Sequence, residues 1–425
     1  MSAFSLPDAC AQTTTPAAEG LKSSDAKIRA KTARELGQSG DNSVIPSLVS
    51  ALKDPEPKVR REVVVALATL RQPAALDALT TVMKDTDAET RGLAVEGIVG
   101  YYTGETPSTG FAAFMKKNWE RAMSHFIPDT TQVDPGIALD PKAVEALREG
   151  LADMSSGRVA RESARGLGVL HARAAVPDLV KAAHLTDVDL SREALSALGK
   201  IGDTSAGPQL LDLLNSSDKD VRLDAAVTVG ILRTHEALAK LQSMFDSASD
   251  SRTREKSLEG LAYLGEPVSV PTFLKALWSS DKSLRISSAE GLARAGDPKA
   301  IPDLLKAAGS ESDAEARLAM GFALTALGRN DYLAEMVDEL GSRMNGDVAK
   351  SYFVELARKP GFLAQLYPYL DHRSSTVRMK LCDVLMASGD ATSIPLLERL
   401  SRDSNGDVAS EALRALRAIR ARSAT

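Results

Sequence analysis

The sequence predicts an all-α solenoid, a superhelix of about twelve stacked helical hairpins with one insertion. Three observations lead to this prediction. A register residue, most often arginine, recurs every 29 to 32 residues, the apolar residues after it keep helical spacing, and cap residues, glycines and prolines recur at fixed offsets from it. Because one hairpin of this length cannot bury its apolar face alone, neighbouring hairpins must stack and share a core.

The composition agrees with a long aliphatic array of helices. The chain has 425 residues, of which 44% are hydrophobic and 4% aromatic. This length exceeds the size at which one compact core usually stops growing, and the shortage of aromatic residues favours closely packed helices over a β-sandwich or barrel. The net charge of -5 provides no strong attraction to nucleic acid or to an anionic membrane, so neither is expected as a partner.

The cysteines and the apolar pattern exclude further classes of protein and site, and the N-terminal segment sets the start of the solenoid. Cys10 and Cys382 are too few for a disulfide framework or a multi-cysteine zinc site, and Cys382 falls in a column predicted to be buried. No run of 18 apolar residues exists, so no membrane span is expected. Residues 1–22 lack helical periodicity and are predicted to be a disordered tail, with the solenoid covering residues 23–425.

The tail leaves the compartment open. Ala9, Cys10 and Ala11 before Gln12 resemble a small-residue cleavage site, although the segment lacks the apolar core of a signal peptide. We expect a cytoplasmic protein by default, and a periplasmic one if a signal peptide is missing upstream of Met1.

Twelve register residues define the repeat, and only one interval, of 69 residues, departs from the period. The residues four and seven places after them contain no polar member apart from one cysteine, and positions three apart share a helix face, so the two columns predict one buried stripe. The register residues are Arg29, Arg60, Arg91, Ala160, Ser191, Arg222, Arg254, Arg285, Arg317, Ala349, Arg378 and Ala409. The column at seven is Leu36, Leu67, Ile98, Leu167, Leu198, Val229, Leu261, Leu292, Leu324, Leu356, Leu385 and Leu416.

Each unit also carries start and stop signals. Four residues before the register residue, eleven of the twelve units have Asp, Ser or Asn, which cap a helix start, and Glu56 is the exception. Glycines eleven residues after it predict the end of this first helix, and prolines seventeen residues after it predict the first turn of a second helix. These residues are Gly40, Gly202, Gly265, Gly296, Gly328 and Gly389, and Pro46, Pro177, Pro208, Pro271, Pro302 and Pro395.

The repeat resembles a known family. Residues 221–226, Val-Arg-Leu-Asp-Ala-Ala, and residues 198–203, Leu-Gly-Lys-Ile-Gly-Asp, are similar to the short HEAT-like repeats of roughly 31 residues found in phycobilin lyases and many bacterial scaffold proteins. The resemblance implies a stacked α-solenoid. It implies little about function, because members of the family bind very different molecules.

The long interval indicates an insertion at about residues 101–140, which is rich in aromatic residues. Insertions in solenoids often project from the binding face, and clustered aromatic and arginine side chains are typical of interface anchors. The alternative is that these aromatic residues pack the insertion onto the repeats beneath it. The candidate partner-binding residues are Tyr101, Tyr102, Phe111, Phe114, Lys116, Lys117, Trp119 and Arg121.

The register arginines predict structural contacts, and the histidines predict no catalytic site. Asp54 and Asp85 each precede a register arginine by six residues, so we expect the arginines to form a structural ladder of ion pairs, with a row of ligand-binding arginines as the alternative. The five histidines are scattered, and His235-Glu236 is the only His-Glu pair, whereas the HEAT-like iron enzyme deoxyhypusine hydroxylase needs several. We therefore predict no catalytic, cofactor-binding or metal-binding residues and no cofactor.

These observations favour a non-catalytic protein-binding scaffold or adaptor. The expected binding surfaces are the concave face, predicted to be the row of second helices, and the insertion. The expected state is a monomer that binds another protein. The alternatives are a phycobilin lyase-like or other cofactor-chaperone activity, which the resemblance implies, and nucleic-acid binding, against which the acidic composition argues.

Overall fold

The computed structural model describes residues 16–107 and 138–423. Within these ranges every regular element is helical, and most repeats consist of a longer first helix and a shorter second helix. The chain divides into two compact units. In the described residues, unit 1 comprises 16–107 and 139–170, and unit 2 comprises 171–423.

Unit 1 contains four first helices that pack side by side in chain order, and the second helices that connect them. The first helices are α1 (Ala26–Gln38), α3 (Pro57–Leu70), α5 (Ala88–Thr103) and α7 (Gly157–Val169). The second helices are α2 (Ile45–Ala51), α4 (Pro73–Val82) and α6 (Pro141–Leu151). Two 3₁₀ helices, Pro16–Lys22 and Asn42–Val44, precede α1 and α2.

Unit 2 repeats the same arrangement, and its first helices also pack successively. The first helices are α9 (Val188–Ile201), α10 (Lys219–Ile231), α12 (Ser251–Leu264), α14 (Lys282–Ala295), α16 (Ala314–Ala326), α18 (Gly346–Leu356), α20 (Ser375–Ser388) and α22 (Gly406–Ser423). The second helices are α8 (Val176–Ala183), α11 (Leu238–Asp246), α13 (Val270–Ala276), α15 (Ile301–Ser310), α17 (Leu333–Glu339), α19 (Leu363–Leu366) and α21 (Ile394–Leu400). A 3₁₀ helix, Thr204–Asn215, takes the place of the second helix after α9, and shorter ones precede most second helices.

The predicted buried stripe is confirmed. All twelve residues of the column seven places after the register are at most 4% exposed. The column at four places is also buried up to Cys382, whose thiol is buried and has a pKa raised by that burial to about 12. The exception is Leu413, which is 48% exposed, because no described helix packs over that side of α22.

The helix caps agree with the prediction in most units. Nine of the predicted N-cap side chains accept a backbone N–H at the start of their helix, and Asn405 does the same for Val408. Glu56 and Asn345 do not. The prolines lie in the first turn of a second helix except Pro208, which lies within a 3₁₀ helix.

The predicted glycine stops all lie at the ends of their first helices, and five of the six have a left-handed backbone. Gly202, Gly265 and Gly296 cap their helices with φ between 68° and 72°, and Gly40 and Gly328 also have positive φ. Gly389 caps α20 with an extended backbone, and a Cβ at this position would lie 2.5 Å from the carbonyl oxygen of Leu385.

Three non-glycine residues in the described part of the chain also adopt the left-handed backbone conformation, which the sequence did not indicate. Arg71, His171 and Arg233 occupy the equivalent position in their units and have φ of 46°, 49° and 54°. The two arginines reach the next first helix, where they donate to the carbonyls of Tyr101 and Leu264. A side chain that binds a free carbonyl at a helix end offsets part of the cost of the left-handed backbone.

The register arginines form the predicted ladder over part of the chain. We call a rung of this ladder complete when the register arginine makes two kinds of contact. Its guanidinium donates through Nε and Nη2 to a carboxylate in the turn before the next first helix, and through Nη1 to the carbonyl of the residue six places earlier. Arg60 is the model case, with bonds of 2.6 and 2.7 Å to Asp85 and 2.9 Å to the Asp54 carbonyl. Arg29–Asp54, Arg285–Glu311 and Arg378–Asp403 repeat this geometry.

Glycine allows close contact between neighbouring first helices. A Cβ at Gly230 would lie 2.3 Å from the carbonyl oxygen of Gly260, and one at Gly260 would lie 2.4 Å from that of Ala226. Real Cβ atoms do not approach backbone this closely, so α10 and α12 pack backbone against backbone.

The boundaries of the tail and the insertion differ from the predicted ones. Helical structure begins at Pro16 and Ala18 is only 2% exposed, so residues 16–22 do not belong to a disordered tail. Helix α5 continues to Thr103, so Tyr101 and Tyr102 belong to a repeat helix rather than to the insertion. Residues 108–137 lie outside the described residues. No described helix is long and apolar enough to cross a membrane.

Candidate protein-binding groove

The structure describes only two of the eight candidate binding residues. Tyr102 is fully buried, its hydroxyl accepts the Asp140 N–H at 3.0 Å, and burial raises its pKa. Tyr101 is half-buried, and its ring meets that of Tyr102 edge to face at 5.1 Å. Tyr102 is therefore a core residue rather than an exposed anchor. The other candidates, Phe111, Phe114, Lys116, Lys117, Trp119 and Arg121, lie outside the described residues and stay a prediction.

Unit 2 contains an open groove between the second helices α11 and α13, with a volume of about 590 Å³. Each helix contributes a stripe with helical spacing next to its core-facing stripe. The residues that line the groove, here called the α11–α13 groove, are Leu238, Ala239, Gln242, Phe245, Asp246, Val268, Ser269, Pro271, Thr272 and Lys275.

The two bordering helices are held by core residues on their other face. Leu241 and Phe273 are fully buried, and Met244 is 8% exposed. Because these side chains fix each helix against the first helices, the groove residues face away from the core. Val268 is 71% exposed, and Phe245 is half-buried. The groove is therefore a preformed apolar surface on a rigid support.

Polar side chains cross the groove and mark its rim. Thr272 donates to Gln242 Oε1 at 3.2 Å, and Gln242 Nε2 donates to Asp246 at 3.1 Å, so a short hydrogen-bonded chain links α13 to α11. Lys275 is exposed at the same surface. A partner would meet an apolar centre with polar groups of both charge signs at its edge, as at many protein interfaces.

Trp278 follows α13 and lies next to Lys306 of α15. It is 47% exposed, and the ammonium of Lys306 lies 5.3 Å from the centroid of its ring. This cation–π contact fixes the ring while leaving much of it accessible. Exposed and rigid tryptophans are common anchors of protein interfaces.

The other side of unit 2 carries a cluster of buried ionic and aromatic groups on α12, α14, α16 and α18. Arg294 donates to both carboxylate oxygens of Glu355, at 2.9 and 3.0 Å, and lies 4.6 Å from the centroid of Tyr263. Tyr352 stacks on Phe322, with ring centroids 4.3 Å apart. Side chains of α14 and α18 thus meet across α16.

This contact joins first helices that are two repeats apart. Which row of helices forms the concave face stays a prediction. Burial raises the pKa of Glu290. Burial also acts to raise the pKa of Glu355, but the hydrogen bond and charge of Arg294, together with the charges of Arg233 and Arg358, outweigh it and lower this pKa. Tyr352 donates to Glu290 at 2.6 Å, so each of these buried polar groups has a partner.

A second charged cluster lies further along the same face, on α18, α20 and α22. Burial raises the pKa of Asp383 to about 7, and a hydrogen bond with Glu411 acts in the same direction. Lys350 lies 3.8 Å from Asp383, and burial lowers the pKa of this lysine. The Asp383 carboxyl group thus lies between the carboxyl group of Glu411 and the ammonium of Lys350.

The described residues offer no group of three or more His, Cys, Asp or Glu side chains that could hold a metal ion. His235 pairs with Glu266 of the following repeat rather than with its neighbour Glu236. The repeat pattern does not single out the groove residues, because they stand next to the core stripe of each second helix. The only signal for them in the sequence is a second apolar column with the same spacing as the core column.

The comparisons with known proteins address the family. A family model of HEAT repeats matches residues 14–98, 144–228, 186–262 and 247–325, which together span more than half of the chain. The match does not distinguish the phycobilin lyase type from other HEAT repeats. No curated protein sequence matches the chain.

Several solved structures are similar at low identity. Escherichia coli YibA is 17% identical with a TM-score of 0.42, and the alignment covers 67% of this chain and 94% of that one. Human deoxyhypusine hydroxylase is 16% identical with a TM-score of 0.26, over 65% and 94% of the two chains. Kap95p, in a structure that concerns its binding to RanGDP, is 12% identical with a TM-score of 0.44, over 95% and 61%.

At such identities and scores these likenesses carry no argument about function. The family assignment rests on the matched repeats and on the successive helical hairpins of each unit. On this basis, the chain is a member of the HEAT repeat family.

Proposed function

We propose that this protein is a non-catalytic protein-binding scaffold and that the α11–α13 groove holds a segment of its partner. The observation that carries the proposal is the groove itself, an open space of about 590 Å³ whose border includes Val268 at 71% exposure. Exposed apolar side chains around a concave surface are typical of sites that bind another molecule.

The form of the groove favours a short stretch of polypeptide as the occupant. It is bordered by helices of 9 and 7 residues, which are about 10–14 Å long. An amphipathic helix of two to three turns has this length and presents apolar residues at matching intervals. The polar rim provides further contacts around the apolar centre.

The ionic cluster of α12–α18 supports a structural rather than a catalytic role for the buried polar groups. Arg294 pairs with Glu355, and Tyr352 with Glu290, so these groups bind one another across three first helices. Fully paired networks of this kind hold helices at a fixed spacing. We infer that they keep the surface of unit 2 in one conformation for its partner.

The test compares the wild-type protein with a Val268→Asp/Phe245→Ala variant. Partners are captured from a lysate of the source organism, identified by mass spectrometry and purified, and their affinity for both proteins is measured. We expect the variant to bind at least about tenfold more weakly, because a carboxylate at Val268 must be desolvated when the groove is filled and the Phe245 ring is lost.

The matched control is Met344→Asp, which places the same charge at an apolar residue that is 87% exposed and outside the groove. This variant should bind like the wild type, and both variants should keep the wild-type thermal midpoint. A captured partner that binds the groove variant as tightly as the wild type would contradict the proposal.

A further inference from the structure

The ladder of register arginines has two consecutive incomplete rungs, at Arg222 and Arg254. The position that supplies the carboxylate in complete rungs is occupied by Ala248 after Arg222 and by Ser279 after Arg254. The Ser279 hydroxyl accepts the Asp281 N–H at 3.1 Å, so it replaces the carboxylate only in shaping the turn.

Both arginines keep the backbone contact of a complete rung. Arg222 donates through Nη1 to the carbonyl of Ser216 at 2.5 Å, and Arg254 donates through Nη2 to the carbonyl of Ala248 at 2.8 Å. These contacts hold each guanidinium at its rung, and no further side-chain partner of either is found in the described residues. Arg222 is half-buried and Arg254 is exposed.

The carboxylates near these arginines are engaged elsewhere. Asp218 and Asp250 accept backbone N–H groups as helix N-caps, and Asp250 also binds Lys219 at 2.9 Å. Asp220 pairs with Arg252. These three carboxylates are therefore engaged without using Arg222 or Arg254.

We propose that the two incomplete rungs bind carboxylates of an acidic, extended segment of a partner protein. This inference rests on the proposed scaffold function. The complete rungs show which chemistry fits, since Arg60 and Arg378 each hold one carboxylate through two hydrogen bonds of 2.6 to 2.8 Å. A guanidinium fork is matched to this planar anion in shape as well as in charge.

The spacing of the rungs defines the occupant further. Neighbouring packed helices are about 8–10 Å apart, and the rungs lie on the neighbouring helices α10 and α12. An extended chain in the polyproline II conformation rises about 3.1 Å per residue with three residues per turn, so side chains three positions apart lie on the same side, about 9 Å from one another. Two acidic residues about three positions apart in an extended segment would therefore reach both guanidinium groups.

The experiment measures peptide affinity by fluorescence anisotropy at low salt. The probe is a fluorescein-labelled peptide of serine and glycine with glutamate at every third position, and its counterpart has glutamine at those positions. We expect the glutamate peptide to bind the wild type about tenfold more tightly than the glutamine peptide, and Arg222→Gln/Arg254→Gln to remove this preference. The charge-matched control Arg343→Gln/Arg373→Gln changes two exposed arginines elsewhere and should keep it.

A second variant supplies the missing carboxylates from the protein itself. Ala248→Asp/Ser279→Asp restores the carboxylates of a complete ladder, and we expect it to fold with an unchanged or higher thermal midpoint and to lose the preference for glutamate. If the wild type shows no preference for glutamate, or if Arg222→Gln/Arg254→Gln retains it, the proposal is wrong.

The rung proposal and the groove proposal can fail independently of each other. Val268→Asp/Phe245→Ala leaves both arginines in place and should keep the preference for the glutamate peptide. If the peptide result fails while capture still depends on Val268, only the rung proposal is lost. If capture is independent of Val268 while the peptide result holds, only the groove is lost.

Discussion

Two junctions between first helices in unit 2 solve the same packing problem in opposite ways. Between α10 and α12, Gly230 and Gly260 have no side chain of their own at the closest approach, so that backbone meets backbone there. Between α16 and α18, the stacked rings of Phe322 and Tyr352 fill the contact, and buried ion pairs surround them. The comparison shows that the repeat fixes the order of its helices, whereas the residues at each junction set their separation.

The glycine junction should be the more sensitive of the two. Gly260→Val places a side chain against the Ala226 carbonyl, where neither partner is a flexible group, so we expect a loss of about 3 kcal/mol in the free energy of unfolding. Chemical denaturation measures it. The control is Gly309→Ala in α15, where a Cβ meets no atom within 4 Å and the change should stabilise by about 0.5–1 kcal/mol. Equal effects at the two glycines would remove the distinction between the junctions.

The aromatic junction should depend on its ion pairs. Arg294→Met keeps much of the volume of a side chain that is 7% exposed but leaves Glu290 and Glu355 without their cation. Removing one member of a buried pair costs about 3 kcal/mol, and we expect a slightly smaller loss here because Glu355 is 30% exposed and can be hydrated.

Denaturant unfolding of Arg294→Met and of Arg294→Met/Glu355→Gln tests this explanation. The second change removes an unpaired carboxylate, so the double variant should recover part of the lost stability. A double variant less stable than Arg294→Met would show that the arginine acts through its packing on Tyr263 rather than through charge.

The smallest expected effect is a pH dependence of the free energy of unfolding that arises from Asp383, in the charged cluster on α18, α20 and α22. The pKa of Asp383 is about 7 in the folded protein, against an ordinary value of 3.8, so between these pH values unfolding releases a proton. Rising pH therefore favours the unfolded chain in this window, and the stability contributed by the protonated carboxyl is lost as pH passes 7.

In Asp383→Asn the amide can donate to Glu411 at every pH. Relative to this variant, the wild type should lose on the order of 1 kcal/mol between pH 5 and pH 7.5. Urea midpoints at the two pH values measure the difference. Asp407→Asn, at an exposed position on α22, should follow the wild type. Parallel pH profiles of the wild type and Asp383→Asn would show that Asp383 does not titrate in this window.

The sequence predicted what depends on one repeat and missed what depends on several. The aliphatic column, the N-caps and the arginine ladder follow from residues within one repeat or between adjacent ones. The structure confirms the column, most of the N-caps and part of the ladder. The contact of Arg294 with Glu355 joins residues two repeats apart, and no column of the repeat indicates it. The exposure of Val268 depends on how far α11 and α13 are separated, which the spacing of residues along the chain does not reveal.

The individual errors have local causes. Leu413 was assigned to the core although no described helix covers it, and Tyr102 was assigned to an interface because it stands next to an aromatic-rich segment rather than within it. Arg71 and Arg233 were not recognised as helix stops because a left-handed backbone at a non-glycine residue depends on a bond to the next repeat. The six remaining aromatic and basic candidates stay untested predictions.

The rung at Arg91 has a consequence for how this chain can be altered. Its guanidinium binds Asp153 and Ser155, more than 60 residues later, and so joins the two sides of the long interval in unit 1. The hydrogen bond from the Asp140 N–H to the Tyr102 hydroxyl joins the two sides of the same interval at a second point. Because these two contacts join α5 to residues on the far side of the interval, a foreign segment grafted between Thr103 and Leu139 should leave the flanking repeats in place. The interval is thus a natural point for attaching a reporter or a second domain.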